Sequence, residues 1–502
     1  MIVGVLCKMD TIAAYDELAA RLRRIGALEE VAGLLNWDQE TQMPPKGGAQ
    51  RAEHAAAVAS AIHDLASDPR LGELVAFAST AQGADAVNVM EAGRIHRRAV
   101  KVPSALAADL ARASALGQEV WVKARSASDF AAFAPTLERI VALKRAEADC
   151  LAEDGVSGYD ALLDGFEPGT TAAELDAIFA RLRPGLVDLA GRIAAKRPSA
   201  PAIAGQFPAE AQLALARRLG GVFGYDWQAG RLDLAVHPSC SGSAGDVRIT
   251  TRIDPSDPQD CLYSTLHEVG HAVYEQGLNP AQAMLPAGMH ASMAVHESQS
   301  RLFENQLGRS RAFCDFLFGA MQADLGSAGV ADPDALWRLV NAVQPGFIRT
   351  EADEVHYNLH ILMRFDLERA LIAGALPVRD LEAAWNARFL ADFGQAVPDA
   401  RRGVLQDVHW SAGLFGYFPT YTLGNVYAGE IHAGLRRDIP DLDARLAAGE
   451  LGEVVAWLGE RIHRRGRMVP PARLIAEAVG RAPDERALLH YLEAKYADLH
   501  DL

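Results

Sequence analysis

Cysteine is scarce and poorly placed for bonding: the 502-residue chain has five, Cys7, Cys150, Cys240, Cys261 and Cys314, scattered and without a C-x-x-C among them. An odd, dispersed set argues against a disulfide framework and against a cysteine zinc site, and fits a reducing cytosol. Positive charge is also short, with 49 Lys and Arg against 65 Asp and Glu, a formal net charge of -16. Binding to phosphate backbones requires clustered cations on a contact face, so nucleic acid is not an expected partner. No stretch offers about 18 uninterrupted apolar residues, which excludes a membrane span. The opening MIVGVLCKMD places Lys8 after its apolar run rather than before it, with no small-residue cleavage site, so no secretion signal is read and the expected location is the cytoplasm. Flexible linkers, internal repeats and low-complexity tracts are missing too.

What remains is half hydrophobic and rich in Ala, Leu, Arg and Glu. Apolar residues recur at three- and four-residue spacing in segments such as 15–35, 137–151 and 172–182, which predicts a mainly helical protein. Breaks fall at Pro44-Pro45 with Gly47-Gly48, at 155–158, at 198–205, at Pro286 and Gly288, and at Pro470-Pro471. One region differs: residues 231–236 (RLDLAV) and 247–253 (VRITTRI) alternate with period two around a Gly/Ser turn at 241–245, which predicts a small β-hairpin. A helix is expected directly after it, over about 259–276, capped by Asp257 or Asp260.

That helix carries His267-Glu268-Val269-Gly270-His271, an H-E-x-x-H run set in a helical apolar pattern of Leu262, Leu266, Val269 and Val273. Residues i and i+4 share one helix face, so both imidazoles can reach one ion while Glu268 projects close to its open position. A catalytic zinc site needs a third protein ligand and room for water. Glu297, in His296-Glu297-Ser298-Gln299, is the candidate, because a helical stretch follows it and the turn at 286–288 lets that helix fold back on the first. His296 is the rival ligand, but its adjacent position faces another direction. The expected cofactor is one divalent metal ion, zinc first, although two imidazoles and a carboxylate accept zinc, cobalt or manganese. With water activated at such an ion, Glu268 serves as general base and then delivers the proton to a leaving amine, which makes amide hydrolysis the natural reaction.

Five blocks in order, Asp246-Val247-Arg248-Ile249-Thr250, 267–271, 296–299, Ile348-Arg349-Thr350-Glu351-Ala352-Asp353 and Gly403-Val404-Leu405-Gln406-Asp407-Val408-His409-Trp410, resemble the Taq carboxypeptidase family. Residues 34–41 with Met43-Pro44-Pro45 and residues 491–496 resemble the family's ends. The resemblance implies a single domain over 1–502, a helical body of two lobes divided by a deep groove, like that of neurolysin and angiotensin-converting enzyme, with a hairpin or three-stranded sheet near the active site. It also implies a homodimer that removes C-terminal residues one at a time, with broad side-chain tolerance, from peptides bearing a free carboxylate. Arg349 is the candidate grip for that carboxylate, because a guanidinium can hold it bidentately; alternatively it pairs with Asp353 or Glu351. His409 and Tyr421, with Tyr417, belong to an aromatic segment that could line the groove and donate to the oxyanion or the carboxylate. His237 and Arg248 are further candidates for reaching the groove, Arg248 equally for pairing with Asp246 or Asp407.

Four features depart from expectation, the last three from the family pattern. Arg301 stands where many zincins with this ligand set carry an acid four residues after the third ligand, so another carboxylate is expected to hold the imidazoles. Ser239 replaces an expected aromatic residue and Ala294 an expected glycine. Met9-Asp10 looks more like the family's start than Met1, so residues 1–8 read as a mis-called start or a disordered extension. Two other functions stay open: an oligopeptidase of the same fold group cutting internal bonds, and a silent helical scaffold with a structural metal or none.

Overall fold

The computed structural model describes residues 11–153, 155–196 and 202–502; residues 1–8, and with them the question of the start, lie outside the described residues. The Ala- and Leu-rich segments are helices that run beyond the periodic stretches, through Thr11–Thr41, Phe130–Leu151 and Ala172–Ala195. The last opens on a capping box in which Thr171 and Glu174 each satisfy the other's backbone N–H. Helical faces from Phe130 onward feed one continuous apolar core that includes Leu262, Leu266, Val269 and Val273. A smaller cluster, with Leu18, Leu22, Leu71, Leu74 and Leu285, joins the N-terminal helices to the loop ahead of Glu297. No helix among the described residues is long and apolar enough to cross a membrane.

The sheet is three-stranded and differs from the expected hairpin. β1 (Gly230–Leu234) and β3 (Asp246–Thr251), the two segments with strand periodicity, are parallel neighbours, with Gly230 opposite Val247. The antiparallel partner of β3 is β2 (Cys240–Ser243), inside the stretch read as a turn, with Ser243 opposite Asp246. Gly and Ser carry little strand preference of their own, but Gly242 at φ +92° lies against Asp246 O, where any side chain would collide. Close backbone approach, not propensity, makes β2 a strand.

The helix after the sheet spans Pro258–Gln276, and Asp257 is its cap, accepting from Gln259 N at 2.9 Å. A short 3-10 turn at Pro286–Gly288 reverses the chain, and the helix Met293–Arg301 returns across it. Two glycines set how closely that helix is held. A Cβ on Gly270 would stand 2.5 Å from Gln299 O, and one on Gly424, in the helix Pro419–Asp438, would stand 2.7 Å from Glu297 Cβ. Glu297 is thereby clamped between the H-E-x-x-H helix and the Pro419–Asp438 helix.

Several sequence blocks turn out to be architectural. Arg231 and Arg248 lie over the ring of Trp37, and Ser243 Oγ donates to Glu30 at 2.6 Å, docking the N-terminal helix on the sheet. At the other end Tyr491, Lys495 and Tyr496 converge on Glu354, at the start of the helix Glu354–Ala373.

Candidate metal centre

His267 Nε2 and His271 Nε2 lie 3.7 and 3.5 Å from Glu297 Oε2, and the three ligand atoms fall within 4.8 Å of one another. Each group is turned inward by what holds its far side. His267 Nδ1 meets Glu304 Oε2 at 2.9 Å, and Glu297 Oε1 accepts from Arg301 Nε at 2.8 Å, which leaves Oε2 facing the histidines with Ser300 Oγ at 3.1 Å. Two ring nitrogens and one carboxylate oxygen, all with their outer partners already engaged, suit a single divalent ion. Burial opposes ionisation of Glu297, yet the neighbouring Arg301 guanidinium and His267 hold its carboxyl well below the usual carboxylate range. Glu304, under the same opposition, is held at about 2 by Arg301 and His267.

Glu304 answers the expectation of another carboxylate. It stands seven residues after Glu297, two turns along the same face, in a π-helical stretch Leu302–Leu307 that continues the Met293–Arg301 helix. Arg301, which replaces the usual acid, bonds Glu297 and, at 3.2 Å, Glu304, so it links ligand to orienter. Glu268 is 6 % exposed, and burial raises its carboxyl to about 7, with His267 opposing and Glu297 adding to the shift. That value suits a group that must take a proton and return it near neutral pH.

The block at 348–353 splits in two. Asp353 caps the helix Glu354–Ala373, accepting from Val355 N and His356 N, both at 3.0 Å. Arg349 pairs with neither Asp353 nor Glu351: its Nε and Nη2 donate to Asp407 Oδ1 at 3.0 and 2.9 Å, and its Nη1 donates to Tyr357 OH at 3.2 Å. A second buried guanidinium, Arg364, donates to Asp407 Oδ2 at 2.7 Å. Two cations therefore share one carboxylate, and among the described residues no other carboxylate touches either. His409 does not offset this charge and adds none, because burial lowers its pKa to about 3 and keeps the ring neutral. Its Nε2 lies 3.1 Å from Tyr421 OH, whereas its buried Nδ1 has no hydrogen-bond partner among the described residues. Burial raises Tyr417 to about 12, with the Glu297 carboxylate adding to the rise, so its hydroxyl remains a donor near the candidate ligands.

The comparisons with known proteins span nearly the whole chain. The sequence profile described as Carboxypeptidase Taq (M32) metallopeptidase matches residues 17–496. This chain belongs to that family. Thermostable carboxypeptidase 1 of Thermus thermophilus is 41% identical, over 97% of this chain and 99% of its own. Carboxypeptidase 1 of Bacillus subtilis is 34% identical, over 95% and 97%. The crystal structure of the M32 carboxypeptidase from Deinococcus radiodurans R1 superposes with a TM-score of 0.93 at 37% identity, covering 97% of this chain and 100% of that one. Metallocarboxypeptidase 1 of Trypanosoma cruzi gives 0.94 at 32% identity, covering 96% and 99%. The enzyme class follows: a metallocarboxypeptidase, a hydrolase acting on peptides. The internal-cleavage and silent-scaffold readings are not favoured.

Within the M32 chain the structure brings together His267, Glu268, His271 and Glu297, and separately Arg349, His409 and Tyr421. It does not bring in the other two candidates. His237 is exposed, and among the described residues only its carbonyl is engaged, accepting from Thr250 Oγ1 at 3.3 Å. Arg248 takes both oxygens of Asp246 at 2.8 Å and lies 4.2 Å from the Trp37 ring centre, so the M32 Asp-x-Arg block serves the sheet and its docking. Sequence reading also missed Arg364 and Tyr357. Both lie on one buried helix, where polar residues in an apolar segment were the available signal.

Proposed function

We propose that this enzyme removes single residues, with broad side-chain tolerance, from the free C-terminus of peptides, using one divalent ion held by His267, His271 and Glu297. Zinc is the first choice of ion for this donor set, and the family resemblance makes cobalt the second. When bound, the ion supplies Lewis acidity and eases the deprotonation of water at neutral pH. Glu268 accepts the proton of the attacking water and delivers it to the departing amine. Tyr421, positioned by His409, and Tyr417 are the donors for the oxyanion, since their hydroxyls stay protonated.

The observation that carries the carboxypeptidase reading is the surplus charge around Asp407. Arg349 and Arg364 bring two positive charges to one carboxylate whose side chain is 12 % exposed, and a substrate carboxylate arriving at Arg349 balances the set. Arg349 is buried but keeps 6 % exposure against 0 % for Arg364, so it is the one of the pair turned toward substrate, and Arg364 positions Asp407 from behind. The family resemblance further supports a groove between two lobes of a single domain, a homodimer and a cytoplasmic location.

The test uses one hydrophobic peptide prepared as free acid and as C-terminal amide, with products followed by mass spectrometry. A ladder from the C-terminus of the acid alone, abolished by a chelator and restored by zinc or cobalt, is the expected result. Internal fragments from both forms would remove the carboxylate role of Arg349 and keep the metal chemistry.

A further inference from the structure

The two candidate ligand histidines are braced in different ways. His267 Nδ1 meets a carboxylate directly, whereas His271 Nδ1 meets another imidazole, His296 Nδ1, at 2.5 Å. His296 Nε2 in turn lies 2.8 Å from Glu275 Oε1, and the same oxygen accepts from His290 Nδ1 at 3.0 Å. Glu275, His290 and His296 hold ligand-type atoms within 4.8 Å of one another, which is also the composition of a second metal site. Proton counting separates the two uses.

A histidine that binds metal through Nε2 needs a lone pair there, so His271 carries its proton on Nδ1. The facing His296 Nδ1 must then be the acceptor, and the proton of neutral His296 stands on Nε2. Glu275 Oε1 is placed to receive it. Reversing the chain, with the proton on His296 Nδ1, moves the proton of His271 onto Nε2 and closes that nitrogen to metal. An ion at His296 Nε2 would have to displace a proton that the facing nitrogens cannot take.

We propose that Glu275 and His296 form a positioning relay that fixes His271 in its metal-binding tautomer, and that the Glu275, His290 and His296 cluster is not a second metal site. The proposal rests on His271 being a ligand of the metal centre. Glu275 is four residues after His271 on the same helix face, and His296 is the residue before Glu297, so both parts of the relay ride on the elements that carry the ligands. His290 supplies the second donor to Glu275 Oε1 and keeps that oxygen aimed at His296.

The test measures zinc affinity by competition with a chromophoric chelator, and zinc content per chain, on the full-length protein. His296→Phe, which removes the acceptor, is expected to weaken zinc binding about 10- to 100-fold. His296→Asn, whose side-chain oxygen can accept from His271, is expected to recover most of that loss. Glu275→Gln is expected to weaken binding in the parent and to add nothing in either His296 variant, because it acts through His296. If His296→Phe does not fold, the Glu275→Gln and His296→Asn pair carries the same cycle. Parental affinity in His296→Phe, or additive losses with Glu275→Gln, would overturn the relay. Two zinc ions per parent chain, one of them lost in His290→Ala, would overturn the exclusion of a second ion. His271→Ala at parental affinity would remove the metal centre itself and the relay with it, whereas a weak His271→Ala beside a parental His296→Phe removes the relay alone.

Discussion

At Glu268 the exchange of one oxygen for NH2 separates binding from chemistry. Glu268→Gln keeps the shape and the helix but cannot accept a proton, so kcat is expected to fall about 10²- to 10⁴-fold while zinc affinity stays near the parental value. Steady-state kinetics beside chelator competition reads both. Arg349 makes the complementary case, because its charge meets the part of the substrate that does not react. Arg349→Ala removes charge-assisted hydrogen bonds of about 1.5–3 kcal/mol, so kcat/KM for a free-acid peptide is expected to drop about 10- to 150-fold. The ratio of rates on acid and amide should shrink with it. Asp407 retains Arg364 as a partner in that variant, which guards the fold against an unpaired buried charge.

Between helices the site depends on two missing side chains. Gly270 and Gly424 let the Met293–Arg301 helix approach from either side, and an added methyl meets backbone at the first and the Glu297 side chain at the second. Gly270→Ala therefore displaces the whole element, with an expected cost of about 1–3 kcal/mol in chemical denaturation together with weaker zinc binding. Gly424→Ala presses on the ligand itself, so zinc affinity should suffer more than stability. Comparing denaturation of the metal-free forms with chelator competition distinguishes the two. The segment that carries His409 is fixed from another direction: Glu368, 0 % exposed, accepts from Tyr159 OH, Trp410 Nε1 and Gly416 N at 2.7–2.9 Å.

For the whole molecule, buried carboxyl groups set opposing pH responses. Glu167 receives hydrogen bonds from Ser292 Oγ and Ala294 N at the start of the Glu297 helix, yet burial raises it from its ordinary 4.5 to about 7. A raised folded pKa means the folded state holds the proton more tightly. Its stability contribution is full below about 4.5 and is lost as pH rises through about 7. Denaturation at pH 5 and pH 8 should show Glu167→Gln losing about 2–3 kcal/mol less than the parent over that interval. Glu297 and Asp407, held low by arginines, act with the opposite sign: their contribution is present above the ordinary carboxylate range and is lost in strong acid.

What the sequence by itself determined follows from short periods. Helical content, the helix at about 259–276 with a cap at Asp257 or Asp260, and the common face of His267 and His271 all depend on residues within a turn or two of one another, where spacing dictates direction. The turn at 286–288 and the helical stretch after it nominated Glu297, and the family's blocks added Arg349, in neither case showing the partners. Tertiary structure decided everything that depends on close approach between distant segments. It made a Gly/Ser stretch into β2, gave Arg349 to Asp407 rather than to its own neighbours, and set Arg248, already expected beside Asp246, over Trp37. It also supplied Glu304 and the Glu275–His296 pair as braces for two imidazoles. The physical reason is the same in each case: a buried charge or ring nitrogen is satisfied by whichever group packing brings within about 3 Å, and sequence separation does not enter that distance.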